Sequence, residues 1–383
     1  MNDPNGLIYH LGKYHLFYQH NPFANEFGHI SWGHAVSEDL IYWEHLPVAL
    51  PASEGKMIYS GCVVFDAQNS FGHPDGPALV AIYTEHSFKS EADYHQKIAL
   101  ATSHDEGLTW DMSHTERLDH PEHSDFRDPK VFWYAPEQKW VMIVAISLEY
   151  SLLFYESKNL KDWTETGSFT AATPKNHSWE CPDLFPLTDE VTGKEKWVLT
   201  LSGDHPDGKG WGMYYFVGHF DGKAFHTDPP HKWLDYGHDF YAGITFEGLA
   251  DKVLLGWCGN WAYAQDMPGH GMTSMMSLAR KLSLRNGSLF QSVYPEGIAE
   301  PVFEGKITKA HHFSYNSRQG SILVNISPSH ISVDRSGSRA FSGHPNYQKL
   351  DYAFSITQAT IYQQPGIVEV FLNQGKISLT EQF

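Results

Sequence analysis

The strongest constraint on the fold is a pair of short motif series that run through the chain in the same phase. The first is a Ser, a polar turn and a bulky aromatic: SEDLIYW ending at Trp43, SHDEGLTW at Trp110 and SKNLKDW at Trp163, with weaker copies HFDGKAF at Phe225 and LRNGSLF at Phe290. Its aromatics are 67, 53, 62 and 65 residues apart. The second series precedes it in each unit: Asp3 in NDPNG, Ser60 in IYSGC, Asp128 in FRDPKVFW, Glu180 in WECPDLF and Asp239 in HDFYAG, at intervals of 57, 68, 52 and 59. Such a period suits a four-stranded antiparallel sheet with its turns, and five units predict a five-bladed β-propeller.

Local patterning agrees. LIYHLGKYHLFYQ and KVFWYAPEQKWVMIVAIS read as hairpins turning at Gly12–Lys13 and Pro136–Gln138. Aromatics are 14% and charged residues 19% of the chain, with 32 Gly and 21 Pro, a mix suited to many short strands. After Pro301 Trp disappears, and SILVNIS, DYAFSIT, TIYQQ and VEVFLN read as strands of a β-sandwich. The expected organisation is all-β: a catalytic propeller over residues 1–295 and a shortened sandwich over 301–383, its last strand missing.

A net charge of −18 repels phosphate backbones and anionic lipid surfaces, so neither nucleic acid nor membrane is expected as a partner. No apolar run reaches the roughly 18 residues of a membrane span, and no basic-then-apolar leader opens the chain. Three widely spaced cysteines, Cys62, Cys181 and Cys258, suggest neither a disulfide framework nor a zinc ribbon. Localisation, secreted or cytoplasmic, and oligomeric state are left open.

In a propeller the innermost strands line a central channel, so residues at their entrances converge. Asp3, Asp128 and Glu180 are carboxylates followed directly or after one residue by Pro, which suits a strand entrance. Converging carboxylates can bind a cation or divide acid and base roles. A calcium or magnesium site wants further oxygen ligands in a compact loop; the surrounding Trp, Asn, Ser, Gln and Arg residues favour a sugar between two carboxyls.

At these residues the chain resembles glycoside hydrolase family 32, the β-fructosidases that include invertases, exo-inulinases and levanases. NDPNG, FRDPK and WECPDLF look like the family's nucleophile, transition-state and acid/base motifs, in order, and the likeness extends from Met1 to about Arg285 through SWGHAVSEDLIYWEHLPVAL, YSG, DYGHDFYA and NWAYA. The resemblance implies retaining hydrolysis of sucrose or β-fructans: Asp3 as nucleophile, Glu180 as acid/base and Asp128 as transition-state stabiliser. It implies Asn2, Gln19, Phe27, Trp32, Ser60, Arg127, Cys181, Asp239 and Trp261 as substrate-binding positions, with no metal and no cofactor. Two other functions fit the same scaffold, fructosyl transfer to a sugar acceptor and non-catalytic fructan binding.

Plainer readings stand beside these. An Asp before Pro is commonly a turn residue, and Arg127 can simply brace the channel. Gln19 and Ser60 can satisfy strand ends. Trp43, Trp110 and Trp163 read as blade packing, Cys181 as a small buried hydrophobe, and DHPEHSD around His120 and His123 as a solvated loop rather than a metal cluster. The chain departs from the family pattern where Phe27 replaces a Trp, and where PGHGMTSMMSLAR replaces a Pro-Trp-Arg-Gly run at the pocket rim. Met1 falls inside the first motif, from which a truncated start is expected, with no upstream strand to close the ring.

Overall fold

The computed structural model describes residues 1–90, 93–227, 229–267 and 275–383; most of the PGHGMTSMMSLAR run therefore lies outside the described residues. Five antiparallel sheets follow one another between Pro4 and Val293. Their innermost strands are Pro4–His10, Lys56–Asp66, Phe126–Tyr134, Glu180–Thr188 and Tyr241–Thr245. Each touches the next, and the fifth touches the first, which closes a ring of five blades around a shaft.

The ring is held by side chains that alternate between two neighbours. Lys139–Ile146 (KWVMIVAI) is buried along its whole length: Trp140, Met142, Val144 and Ile146 enter the core against blade two, while Val141, Ile143 and Ala145 enter the core against blade four. A strand covered on both faces has no polar face to show, which is why these runs lack clean alternation. Blades five and one meet directly. The amide of Tyr9 donates to the Glu247 carbonyl at 2.8 Å, the amide of Glu247 donates to the Leu7 carbonyl at 2.9 Å, and Leu7, Leu16, Ile244 and Val253 pack beneath them.

The Ser-turn-aromatic series has a local cause. Ser37 Oγ accepts the Leu40 amide at 2.8 Å, Asp39 Oδ1 accepts the amides of Ile41 and Tyr42, and the Trp43 indole donates to the Leu40 carbonyl at 3.2 Å. The same indole-to-carbonyl bond recurs at Trp110 with Gly107 and at Trp163 with Leu160. The motif is a turn whose backbone groups are satisfied by its own side chains, with a left-handed residue (Leu40, Gly107 or Leu160) at its bend. In blade two it leads to a reduced edge. Only isolated bridges, Thr102 to Asp111 and Ile98 to Leu118, stand where other blades carry a fourth strand. The first hairpin turns at Leu11–Gly12, one residue earlier than the sequence suggests. Both residues have positive φ, +48° and +88°, the backbone of a type I′ turn.

Beyond the ring, Phe303–Lys306, Gln358–Gln364, Ile367–Leu372 and Ile377–Gln382 form one sheet, and His311–Asn316, Ser321–Ser327, His330–Asp334 and Lys349–Tyr352 another. Ile322, Val324 and Ile326 meet Ile361, Val368 and Val370 between them. The strand Ile377–Gln382 lies along the segment that enters blade five: the amides of Tyr236 and Asp239 donate to the carbonyls of Ser378 and Thr380. Two guanidiniums are buried in this seam. Arg280 reaches Asp235 at 2.9 Å and Glu369 at 2.6 Å; Arg335 pairs with Asp239 and reaches Glu381 at 3.0 Å.

Candidate active site

A repeated backbone irregularity delivers the acidic side chains to the shaft. In blades one, three, four and five the inner strand slips register against its partner, between Asn5 and Ile8, Arg127 and Lys130, Glu180 and Asp183, and Tyr241 and Ile244. Blade two slips between Tyr59 and Gly61. In the four matching bulges the residue after the last paired one is left-handed: Gly6 at φ +54°, Asp128 at +61°, Cys181 at +46° and Ala242 at +51°. Bulges bend the strand and re-aim side chains beside functional sites. Gly6 is required where it stands, since a Cβ there would lie 2.7 Å from Val63 Cγ2 and 2.8 Å from Phe17 Cδ2. By this register Asn5, Arg127, Glu180 and Tyr241 are equivalent positions, and Asp3 stands three residues ahead of its bulge.

Asp3 is held from three sides. Its Oδ2 accepts the Ser60 hydroxyl at 2.8 Å, and its Oδ1 accepts the Asn2 amide at 3.1 Å. The same Asn2 nitrogen donates to Gln19 Oε1 at 2.8 Å, and Gln19 Nε2 donates to Ser60 Oγ at 2.6 Å, closing a ring of hydrogen bonds. Asp128 Oδ2 accepts the Cys181 backbone amide at 3.0 Å, and the Asp128 amide donates to Thr84 Oγ1 at 2.9 Å. The Cys181 thiol bridges the two acids, 3.8 Å from Asp3 Oδ2 and 3.7 Å from Asp128 Oδ2. Glu180 is gripped by different groups: Arg127 donates to its Oε1 at 2.9 Å and the Tyr241 phenol to its Oε2 at 2.6 Å. Arg127 also reaches Asp125 at 2.7 Å.

This cluster holds more negative charge than its single guanidinium offsets. Burial, then the Glu180 charge, pushes Asp3 up to about 6 despite the hydrogen bonds from Ser60 and Asn2. Burial likewise pushes Asp128 up to about 7, with Arg127 opposing and Glu180 adding to the rise. Burial and the neighbouring acids also raise the Cys181 thiol, which keeps it protonated and a poor nucleophile.

A cavity of about 570 Å³ opens over these groups, lined by Asp3, Gln19, Phe27, Arg127, Asp128, Glu180 and Trp261 among others. The rings of Phe27 and Trp261 meet edge-on, 6.2 Å apart. Ser60 and Cys181 are buried and not on the cavity wall; Asn2 lines an adjoining cavity of about 360 Å³ that shares Phe27, Trp261 and Gln265 with this one. Two expected positions are not part of this site. Trp32 is fully buried between blades one and two against Phe17 and Tyr83, its indole donating to the Tyr59 carbonyl at 3.0 Å. It lies on the third strand of its sheet, Ser31–Ser37, where the alternation turns it into the core. Asp239 is fully buried in the seam, accepting the Tyr263 hydroxyl at 2.6 Å, the Gln382 amide at 2.9 Å and the Arg335 guanidinium.

Sequence reasoning missed Tyr241, which sits two residues after Asp239 in the same HDFYAG motif and occupies the bulge position of Arg127 and Glu180. Counting from the residue pair that starts each bulge, rather than looking for an acid in every unit, selects it. Tyr59, His86, Gln96, Asp125 and Trp211 also line the cavity, and the Tyr59 and His86 rings stack at 4.5 Å. Tyr59 stands beside Ser60 in the IYSGC motif on the inner strand of blade two; His86, Gln96 and Trp211 come from second and third strands and Asp125 from a loop, none of which carries the repeat signal. His120 and His123 face each other, with His123 paired to Glu149. Among the described residues the groupings compact enough to hold a metal ion are His73, Asp75 and His104, and His205, Asp207 and His238. Chemically, the site offers a buried carboxylate pair, a third acid on a polarised phenol and guanidinium, and aromatic walls. That combination suits a polyhydroxylated ligand cleaved between acids.

Residues 1–293 match the glycosyl hydrolases family 32 N-terminal domain. The chain is 44% identical over 298 residues to a levanase of Bacillus subtilis, covering 74% of this chain and 43% of that protein. It is 40% identical over 322 residues to an extracellular exo-inulinase of Aspergillus niger, covering 74% of this chain and 60% of that one. It thus spans about half the length of these relatives. The crystal structure of an exo-inulinase from Aspergillus awamori superposes with a TM-score of 0.89 at 31% identity, over all of this chain and 90% of that one.

Proposed function

The chain belongs to glycosyl hydrolase family 32, and on that premise we propose that it is a β-fructosidase that releases fructose from sucrose or β-fructans by a retaining double displacement. The observation that carries this reading is the meeting of three chain-distant acids in one cavity, with Asp3 and Asp128 sharing the Cys181 thiol and Glu180 held apart from them by Arg127 and Tyr241.

In the first half Asp3 attacks the anomeric C2 while a proton passes from Glu180 to the leaving oxygen, giving a fructosyl ester on Asp3. Ser60 and Asn2 orient the attacking carboxylate, and Gln19 locks both. Asp128 hydrogen-bonds the sugar hydroxyls as positive charge develops on the ring. Ester formation neutralises Asp3 and ends its repulsion with Glu180. Glu180 then takes a proton from the water that releases fructose, and Arg127 and Tyr241 stabilise the carboxylate each time its proton leaves. The aromatic pair Phe27 and Trp261 supplies the apolar wall.

The test is fructose release from sucrose, inulin and levan, with the first-formed anomer read by NMR. Retention is expected. Asp3→Asn and Glu180→Gln should each slow release about 10³-fold or more, some 4 kcal/mol of transition-state stabilisation. An inverted product, or an unchanged rate in either variant, overturns the mechanism.

A further inference from the structure

We propose that His205, Asp207 and His238 form a binding site for one divalent transition-metal ion of the Zn²⁺ type, separate from the catalytic cavity. The three residues lie where the second-to-third strand turn of blade four meets the segment entering blade five. One ligand atom from each, two imidazole nitrogens and a carboxylate oxygen, lies within 4.8 Å of the others.

The argument rests on where the ring protons must be. His205 Nε2 is 3.0 Å from the Gly237 carbonyl, a bond only an N–H can make. That fixes a hydrogen on Nε2 and, in the neutral ring, leaves the Nδ1 lone pair 2.6 Å from Asp207 Oδ1, acceptor against acceptor. His238 is placed differently. Its backbone amide donates to Glu381 Oε1 at 2.8 Å, its Nδ1 has no hydrogen-bond partner among the described residues, and its Nε2 lies 3.4 Å from the other oxygen of Asp207. A proton on His205 Nδ1 would remove the clash, but only by burying an imidazolium completely, stacked on the His238 ring with centroids 4.8 Å apart. Taking such a charge out of water is costly. One divalent cation held by His205 Nδ1, His238 Nε2 and Asp207 answers the lone pairs and the carboxylate together.

The surroundings match those of metal-bound histidine. A ligating imidazole commonly gives its outer N–H to a backbone carbonyl or a carboxylate, which fixes the tautomer; for His205 that partner is the Gly237 carbonyl, and Glu381 holds His238 through its backbone amide. Two nitrogens and one oxygen suit Zn²⁺ with solvent in the fourth place, and suit the all-oxygen preference of Ca²⁺ or Mg²⁺ poorly. Asp207 is the only ligand with a solvent-facing side chain, at 18% exposure, and offers the route of entry. Because Glu381 lies on the last strand of the sandwich, the ion would tie blade four, the entry to blade five and the sandwich together.

The test uses the whole chain, dialysed against chelator and titrated with Zn²⁺ alone and with Co²⁺ alone at neutral pH. We expect one tight equivalent, a Co²⁺ d–d spectrum of a nitrogen and oxygen set, and a rise in melting temperature with Zn²⁺ that Mg²⁺ does not give. Asp207→Asn, a substitution at the partly exposed ligand, should lose the tight equivalent while folding normally, whereas His104→Ala in the exposed His73 grouping should keep it. Wild type that binds no tight equivalent, or an Asp207→Asn variant that keeps it, overturns the proposal. So does NMR evidence that the His205 imidazole stays doubly protonated at neutral pH with Zn²⁺ present.

Discussion

The catalytic cavity and the seam beneath the sandwich are both buried clusters of charge, and they are balanced differently. In the seam Arg280 faces Asp235 and Glu369, and Arg335 faces Asp239 and Glu381, two guanidiniums for four acids with hydroxyls and amides filling the remaining sites. Around the cavity Asp3, Asp128, Glu180 and Asp125 share Arg127 alone among the described residues. The consequence is opposite in sign. Burial pushes Glu381 up, but the Arg335 guanidinium leads the groups that oppose it and its proton affinity falls. Asp3 and Asp128 are lifted instead. One cluster is arranged to hold charge, the other to exchange protons.

Removing a seam guanidinium should produce the largest change in stability. Arg335→Met leaves Asp239 and Glu381 buried without a counter-charge, and should cost about 3–5 kcal/mol in urea unfolding. A loss below about 1 kcal/mol would mean the seam is not the balanced cluster described.

The second prediction inverts the sign. The folded pKa of Asp3 lies above the ordinary aspartate value of 3.8, at about 6, because the carboxyl is buried and faces the Glu180 charge. The stabilisation from the protonated form is thus complete below pH 4 and is lost as pH rises through 6. Asp3→Asn should therefore be as stable as wild type near pH 3 and more stable at pH 7, by up to about 3 kcal/mol, although its activity collapses. The same titration sets an acid limb in wild type. An attacking Asp3 must be ionised, so kcat/KM should fall as pH drops through about 6. A variant that is less stable at pH 7 than at pH 4, relative to wild type, would break the contrast.

Smaller effects sharpen it. Tyr241→Phe removes the phenol hydrogen from Glu180 Oε2 and should lower kcat about tenfold, about 1.4 kcal/mol, with little change in urea midpoint. Lys281→Ala breaks an exposed pair with Asp251, 44% and 40% exposed, and should change stability by less than about 1 kcal/mol. A larger effect there would show that burial is not what separates the clusters.

The blade period and three of the acids were legible because they follow from local chemistry. A self-satisfied turn needs Ser, an acid or amide, and an aromatic at fixed spacing, and a strand entrance tolerates Pro. Trp32 misled because a motif's prominence says nothing about which strand of the sheet carries it. Asp239 misled because a carboxylate in phase was taken for one in the shaft, while its partners Arg335 and Gln382 lie about a hundred residues or more along the chain and leave no local mark. The same holds for His205 and His238, which meet across 33 residues of chain, whereas the adjacent pair His120 and His123 drew attention first.

The left-handed step that recurs in four inner strands turns the ring into a set of sockets with one backbone shape. Asp128 and Cys181 fill two of them with an acid and a thiol, Ala242 fills a third with a methyl group, and the fourth, at Gly6, is closed to any side chain by Val63 and Phe17. Each of the three filled sockets is defined by main-chain geometry, so a change of residue there changes what is presented to the shaft without redrawing the path of the chain. Such a frame lets chemistry drift blade by blade over evolutionary time, and it gives a designer a fixed address at which to exchange one functional group for another.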